Sequence, residues 1–243
     1  MKEDQGLQEF VWTGREGPFE LLVSEQVFAP THTSREMAEG LQVNPGDVVI
    51  DVGSGSGVLS FVAARLGAAR VYGSEVNRRA VALARRNAER LGLAERVEFR
   101  EGSLFEPLAG IRANVVIGDV SGIPDEIAAV SDWFPGGFSG GPTGAEVPVA
   151  MLESARDHMF PGARFYLPTA SIQDEGAVLK AARRLFGESR MKQLRERLFP
   201  LPGKIAESTV VRKLMDTDMV AFIRKGSRLL WKLRVWECTA PQA

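Results

Sequence analysis

Short runs that are apolar on both faces alternate along the chain with longer stretches whose apolar residues recur every three or four positions. The clearest run is Val48-Val49-Ile50-Asp51-Val52, which reads as a buried central strand. Arg70–Glu75, Arg96–Arg100, Ala113–Gly118 and Ala163–Leu167 predict further strands. Between them a helix is expected from about Ser56 to Leu66, closed by Gly67. The next helix puts Val81, Ala84, Ala88 and Leu91 on one face, leaves Arg78, Arg79, Arg85, Arg86 and Arg90 for solvent, and ends at Gly92. Further helices are expected near Pro148–Met159, which would hold His158 in a packed position, and over Glu175–Leu185. Strands alternating with helices imply right-handed crossovers and an α/β, doubly wound, mainly parallel Rossmann-like sheet.

Both ends of the chain depart from that rhythm. Residues 1–32 read as an irregular extension with one strand at Phe19–Val23. Thr33 and Glu36 have capping-box spacing for a short helix to Leu41, and Asn44-Pro45-Gly46-Asp47 turns into the central strand. At the other end Met219–Arg224, a turn at Lys225-Gly226 and Leu229–Cys238 predict an antiparallel hairpin on the sheet edge. Trp231 and Trp236 fall on opposite faces of its last strand and are expected to pack. The whole reads as one domain over 1–243, with a core at 33–190 and C-terminal strands at 191–243 completing the sheet.

Composition narrows the setting. Apolar residues make up 44% of the 243 positions and charged residues 25%, as in ordinary soluble globular chains. Lys and Arg total 30 against 31 Asp and Glu, so no global positive field awaits a polyanion, and nucleic acid is an unlikely partner. The single Cys238 forms no internal disulfide, and two His with one Cys make no ordinary closed zinc site. The opening MKEDQG is charged and no apolar run has the length of a membrane span, so a cytoplasmic location is expected.

The strongest chemical signal is Asp51-Val52-Gly53-Ser54-Gly55-Ser56-Gly57 between a strand and a helix. Glycines there let the backbone turn sharply and approach a ligand at the helix N-terminus. Glu75, 22 residues after Gly53, ends the next strand, where a carboxylate accepts hydrogen bonds from ribose hydroxyls. A nucleoside-containing cofactor is implied. The dinucleotide fingerprint would need glycine where Val58 stands, and Asp51 sits awkwardly beside a pyrophosphate. An acid there suits a ligand with a cationic amino group and a sulfonium.

This pattern resembles the class I S-adenosylmethionine-dependent methyltransferases. The resemblance implies that Asp51, Gly53, Ser54, Gly55 and Gly57 hold the amino-acid end of the cofactor, and Glu75 with Val76 the ribose. Phe28-Ala29-Pro30-Thr31-His32-Thr33 is similar to the segment before the glycine loop in ribosomal-protein L11 methyltransferases, which casts Thr31 and Thr33 as ligands; Thr33 as a plain helix cap is the competing reading. Arg86–Leu93 also looks like the second helix of those enzymes, and Glu101-Gly102-Ser103-Leu104-Phe105 corresponds to their adenine-binding turn, with Ser103 where an acid is usual.

After the fourth core strand comes Asp119-Val120-Ser121-Gly122, where release-factor glutamine methyltransferases carry Asn-Pro-Pro-Tyr. Gly140-Gly141-Pro142-Thr143-Gly144-Ala145-Glu146 again resembles that group. The framework is kept and the substrate-reading tetrad is replaced. Asp119 is the expected catalytic carboxylate as well as a cofactor neighbour, with Ser121 a second candidate. His32, Trp133 and Phe138 are candidate substrate contacts, the last two in a glycine-rich stretch, Ser131–Ala145, that suggests a binding loop or lid.

The expectation is therefore an S-adenosylmethionine-dependent methyltransferase of a small polar metabolite, with a protein substrate as the alternative. Amide, base-amino and guanidinium signatures are missing, the Ser-Glu-Trp loop of protein arginine methyltransferases among them. A magnesium-dependent O-methyltransferase would need acidic partners for Asp119 that the sequence does not offer, and no metal is expected. Two readings of other classes stand beside it: an NAD-dependent oxidoreductase, and a nucleoside-binding module without turnover.

Overall fold

The computed structural model describes residues 6–131, 138–217 and 219–242. Its main sheet runs in the order β5 (Val97–Glu101), β4 (Arg70–Glu75), β3 (Val48–Val52), β6 (Ala113–Gly118), β7 (Met159–Ala170), β10 (Arg228–Thr239), β8 (Met191–Pro200). The pairs from β5 to β7 are parallel. At the other edge β10 lies antiparallel between β7 and β8, and the short β9 (Ile223–Lys225) pairs with its start. The expected doubly wound sheet with an antiparallel edge is present.

Alternation along β3 feeds two cores. Val49 points into a layer with Phe61, Val62 and Ala84, from α2 (Val58–Arg65) and α3 (Arg78–Arg90). Ile50 and Val52 point to the opposite layer, among Met151 and Leu152 of α5 (Glu146–Ser154) and Val178 and Ala182 of α6 (Glu175–Phe186). This is why the strand is apolar on both faces. A third cluster joins Ile127 of α4 (Asp125–Val130) to Ile205 of α7 (Gly203–Ala206), Val211 and Leu214 of α8 (Thr209–Asp216), and Leu229.

Several expectations need correction. Residues 7–24 are not irregular: β1 (Leu7–Trp12) and β2 (Phe19–Ser24) form an antiparallel ribbon that buries Trp12, Phe19 and Leu21 against the first core. The first helix, α1 (His32–Gly40), is capped by Thr31 rather than Thr33. The Thr31 hydroxyl accepts from Thr33 N at 3.2 Å, and the Ser34 hydroxyl receives Thr31 N. Glu36 is instead buried and holds Arg195 (2.5 Å) and Arg197 (3.6 Å) of β8. β8 carries the charged, half-exposed pattern of a protected edge strand. The helix expected to Met159 stops at Ser154, whose hydroxyl bonds back to Ala150 O at 2.9 Å. His158 sits in the following 3-10 turn, stacked on Phe105, with Nδ1 3.0 Å from Ile111 O.

Candidate functional site

The carboxyl ends of β3, β4, β6 and β7 open on one side of the sheet, where antiparallel β10 begins. A cleft of about 780 Å3 lies there. Thr31, His32, Thr33, Asp51, Gly53, Ser54, Gly55, Glu75, Val76, Ser103, Leu104, Asp119, Ser121 and Phe138, named from the sequence, are brought together in its lining. Gly57 does not. A Cβ there would sit 2.6 Å from the Phe61 ring, and its φ is +93°, so this glycine serves the start of α2 and the core. Trp133 lies outside the described residues, as do its neighbours in 132–137.

The turn after β3 is fastened to β4 by its backbone. Gly53 N and Ser54 N both donate to Ser74 O, at 2.9 and 3.1 Å. Gly53 has a φ of +77°, and a Cβ on it would lie 2.9 Å from Asp119 O, so this position accepts only glycine. Gly55 N donates to Glu75 Oε2 at 3.0 Å and Asn77 N to Oε1 at 2.8 Å, which fixes the carboxylate at the cleft wall. Opposite, Leu104 takes a left-handed φ of +48° in the turn that brings Ser103 to the cleft.

Asp51 is buried at the base of the glycine turn. Its Oδ2 accepts from Ser60 Oγ at 2.6 Å, and its Oδ1 has no partner. Burial pushes its pKa up to about 7 against that hydrogen bond, and the nearby Asp119 and Glu75 push the same way. Asp119, just after β6, receives a 3.4 Å hydrogen bond from Ser34 Oγ, and burial raises its pKa to about 6. Glu146 adds a fourth carboxylate to the lining, held low against its burial by hydrogen bonds from its own backbone N–H, from Thr143 and from the backbone of Ala145. Against these acids, the described residues lining the cleft include no Lys or Arg.

The other end of the cleft is apolar and aromatic. His32 stacks on Phe199 at 4.7 Å, and Phe199 lies 5.2 Å from Trp231. Leu167, Ile172, Pro200 and Leu233 continue the wall. Trp231 therefore lines the cleft rather than only packing, while Trp236 donates to Thr169 Oγ1 at 3.0 Å and packs on the second core. Sequence reasoning missed Ser34, Gln173, Phe199 and Leu233. Ser34 directly follows the Phe28–Thr33 segment, and the other three come from elements distant along the chain that carry no local motif. The stretch expected as a lid has a fixed second half: Gly140 N donates to Ile123 O (2.8 Å), Gly144 N to Gly141 O (3.1 Å), and Val147 N to Gly140 O (3.1 Å).

Residues 30–134 match the family model of ribosomal protein L11 methyltransferase. The L11 methyltransferase of Pelotomaculum thermopropionicum is 43% identical over 99 residues, 41% of this chain and 31% of that protein. The release factor glutamine methyltransferase of Geobacter sulfurreducens is 34% identical over 152 residues, 59% of this chain and 53% of that protein. The chain thus spans about a third to a half of the curated relatives it matches. Among solved structures, a Thermus thermophilus 16S rRNA N2 G1207 methyltransferase in complex with AdoMet and guanosine superposes with a TM-score of 0.64 at 18% identity. It covers 97% of this chain and 51% of that one. The core has the class I methyltransferase fold, and its cofactor half is similar in sequence to S-adenosylmethionine-dependent methyltransferases.

Proposed function

We propose that the protein transfers a methyl group from S-adenosylmethionine to a nitrogen nucleophile of a protein substrate. The observation that carries the cofactor is the charge of the cleft: Asp51, Glu75, Asp119 and Glu146 line it, and among its described residues there is no Lys or Arg. Two of these carboxyls are pushed up to about 7 and about 6 by burial, so the site lacks positive charge until a ligand brings it. A ligand with an ammonium and a sulfonium meets that need. A dinucleotide pyrophosphate would add negative charge to it, which disfavours the oxidoreductase reading.

Bound there, the cofactor supplies an electrophilic methyl group. Asp51 would hold its ammonium through the unpartnered Oδ1, and Glu75 its ribose hydroxyls. The open space above Gly55, where a Cβ would meet nothing nearer than Phe28 O at 3.8 Å, lets a ligand approach the backbone. Asp119 orients the acceptor and takes its proton. Displacement at a methyl carbon needs an aligned, deprotonated nucleophile, so alignment and proton removal are the protein's share.

A protein substrate is favoured over a small polar metabolite because the relatives similar in sequence are named for ribosomal protein L11 and for release factors. One observation favours RNA as a second reading. Residues 191–243 carry eleven Lys and Arg against five Asp and Glu, and the exposed Arg224, Lys225 and Arg228 crown the hairpin whose Trp231 lines the cleft. The deciding experiment incubates the protein with methyl-labelled S-adenosylmethionine and a cell extract, then separates protein, nucleic acid and small molecules. Label in protein is expected. Label in RNA selects the second reading, and label in small molecules restores the metabolite. Tight NAD binding with no affinity for the methyl donor would overturn the whole assignment.

A further inference from the structure

Gln173 follows β7 and is buried to 4% exposure, yet its residue lines the cleft. Its Oε1 lies 2.1 Å from where a Cβ on Gly122 would be, so the carboxamide occupies the space that any side chain at position 122 would take. Its backbone lies tight against a neighbouring turn. A Cβ on Gly144 would touch Gln173 Cβ at 3.0 Å, and Asp174 N donates to Thr143 O at 3.0 Å, tying this segment to the turn over 140–144. The amide Nε2 is buried with no partner among the described residues, as is the hydroxyl of Ser121 next to Gly122. A buried amide donor without a partner costs free energy, and a protein keeps one where a ligand supplies the acceptor.

We infer that Gln173 is the residue that selects the methyl acceptor: its Nε2 donates to a carbonyl oxygen or ring nitrogen of the substrate group beside the nucleophile that faces Asp119. The glycine at 122 and the turn over 140–144 exist to seat that carboxamide. Gln173 is a positioning residue for the acceptor and not for the cofactor. This inference rests on the methyltransferase reading and not on which macromolecule carries the acceptor.

Its test compares wild type with Gln173→Met, neutral and of similar length, and Gln173→Glu, which keeps the shape and loses the donor. Methyl incorporation from labelled S-adenosylmethionine is followed against increasing amounts of cell extract, and binding of S-adenosylhomocysteine is measured by calorimetry. Both variants should raise the half-saturating amount of extract about tenfold, the size of one hydrogen bond to a neutral acceptor. The rate at saturation should change less than about threefold, and S-adenosylhomocysteine affinity should stay within about twofold of wild type. Labelling by Gln173→Met at wild-type half-saturation would overturn the assignment, because filling the space would then be enough. Loss of S-adenosylhomocysteine binding in both variants would equally overturn it, by making Gln173 part of the scaffold. If wild type binds S-adenosylhomocysteine and labels nothing, the methyltransferase reading itself fails, and this inference with it.

Discussion

At one end of the cleft most of the lining comes from a single stretch, Asp51 to Asn77, faced by Ser103 and Leu104; at the other it is assembled from Ser34, Ser121, Gln173, Phe199 and Trp231. The chemistry differs as much as the connectivity. Asp51 and Glu75 make the first end acidic, with an unpartnered carboxylate oxygen at Asp51 Oδ1. Aromatic rings and neutral groups make most of the second, with Glu146 in the turn beside Gln173, and the unpartnered atoms there include an amide nitrogen and a hydroxyl. Asp119 sits at the junction, its backbone packed against the Gly53 turn and its carboxylate taking a hydrogen bond from Ser34. A cation belongs at one end and a neutral polar acceptor at the other. A fold with this division can keep its donor site while the acceptor site changes.

The division is broken most directly at its junction. Asp119→Asn keeps the shape and removes the charge, and the rate of methyl transfer should fall about 10²–10⁴-fold if the carboxylate takes the acceptor's proton. Affinity for S-adenosylhomocysteine should change far less. Loss of that binding would assign Asp119 to the cofactor end alone. Next in size is Glu75→Ala, which removes a carboxylate pinned by Gly55 N and Asn77 N. Calorimetry should show S-adenosylhomocysteine binding weakened by about 1.5–3 kcal/mol, the range for hydrogen bonds to a charged group, with the transfer rate at saturating cofactor largely kept. Unchanged affinity would remove Glu75 from the ribose contact.

This contrast also sets what was legible in the sequence. Val48–Val52, the glycine turn and Glu75 lie within one strand–helix–strand unit, so spacing alone places them, and the structure brings them into one cleft. Gly57 was over-read because a glycine demanded by Phe61 and by a left-handed cap looks the same in sequence as one demanded by a ligand. Thr31 rather than Thr33 caps the helix because capping-box spacing fits both, and only the backbone decides between them. Gln173, Phe199 and Trp231 were illegible for another reason: each reaches the cleft through the pairing of β7, β10 and β8. One signal could have pointed to Gln173. A glycine at 122, the position to which the resemblance to release-factor glutamine methyltransferases assigns a tyrosine, leaves a volume that some other side chain must fill.

A pH titration sharpens the acidic end. Asp51 has a folded-state pKa raised from 3.8 to about 7, so the folded protein without ligand is favoured at low pH, and that contribution is lost as pH rises from about 4 through 7. A cationic ligand binds the carboxylate form. Between pH 5.5 and 7.5, S-adenosylmethionine affinity should therefore rise by up to about tenfold per pH unit below the pKa, with a proton released on binding. Asp51→Asn should bind more weakly and show a nearly flat profile. Calorimetry in buffers of different ionisation enthalpy measures the proton directly. A wild-type profile as flat as that of the variant would mean that Asp51 is not the ammonium partner.

The smallest expected effect tests the neutral end without touching a polar group. Gly122→Ala adds one methyl group where Gln173 Oε1 now lies 2.1 Å away. The clash is with the far end of a flexible side chain, so the carboxamide should shift and the fold survive. The Asp51–Glu75 end has no part in this contact, and S-adenosylhomocysteine affinity should stay at the wild-type value. What should change is recognition of the acceptor: the half-saturating amount of extract should rise by roughly threefold to tenfold, no more than the loss of the amide itself. The double variant Gly122→Ala/Gln173→Met decides whether the two positions act together. Residues that serve one contact are not additive, so adding Gly122→Ala to Gln173→Met should cost little further. Additive losses would show that position 122 controls the acceptor by a route other than Gln173, and the two ends of the cleft would have to be redrawn around that route.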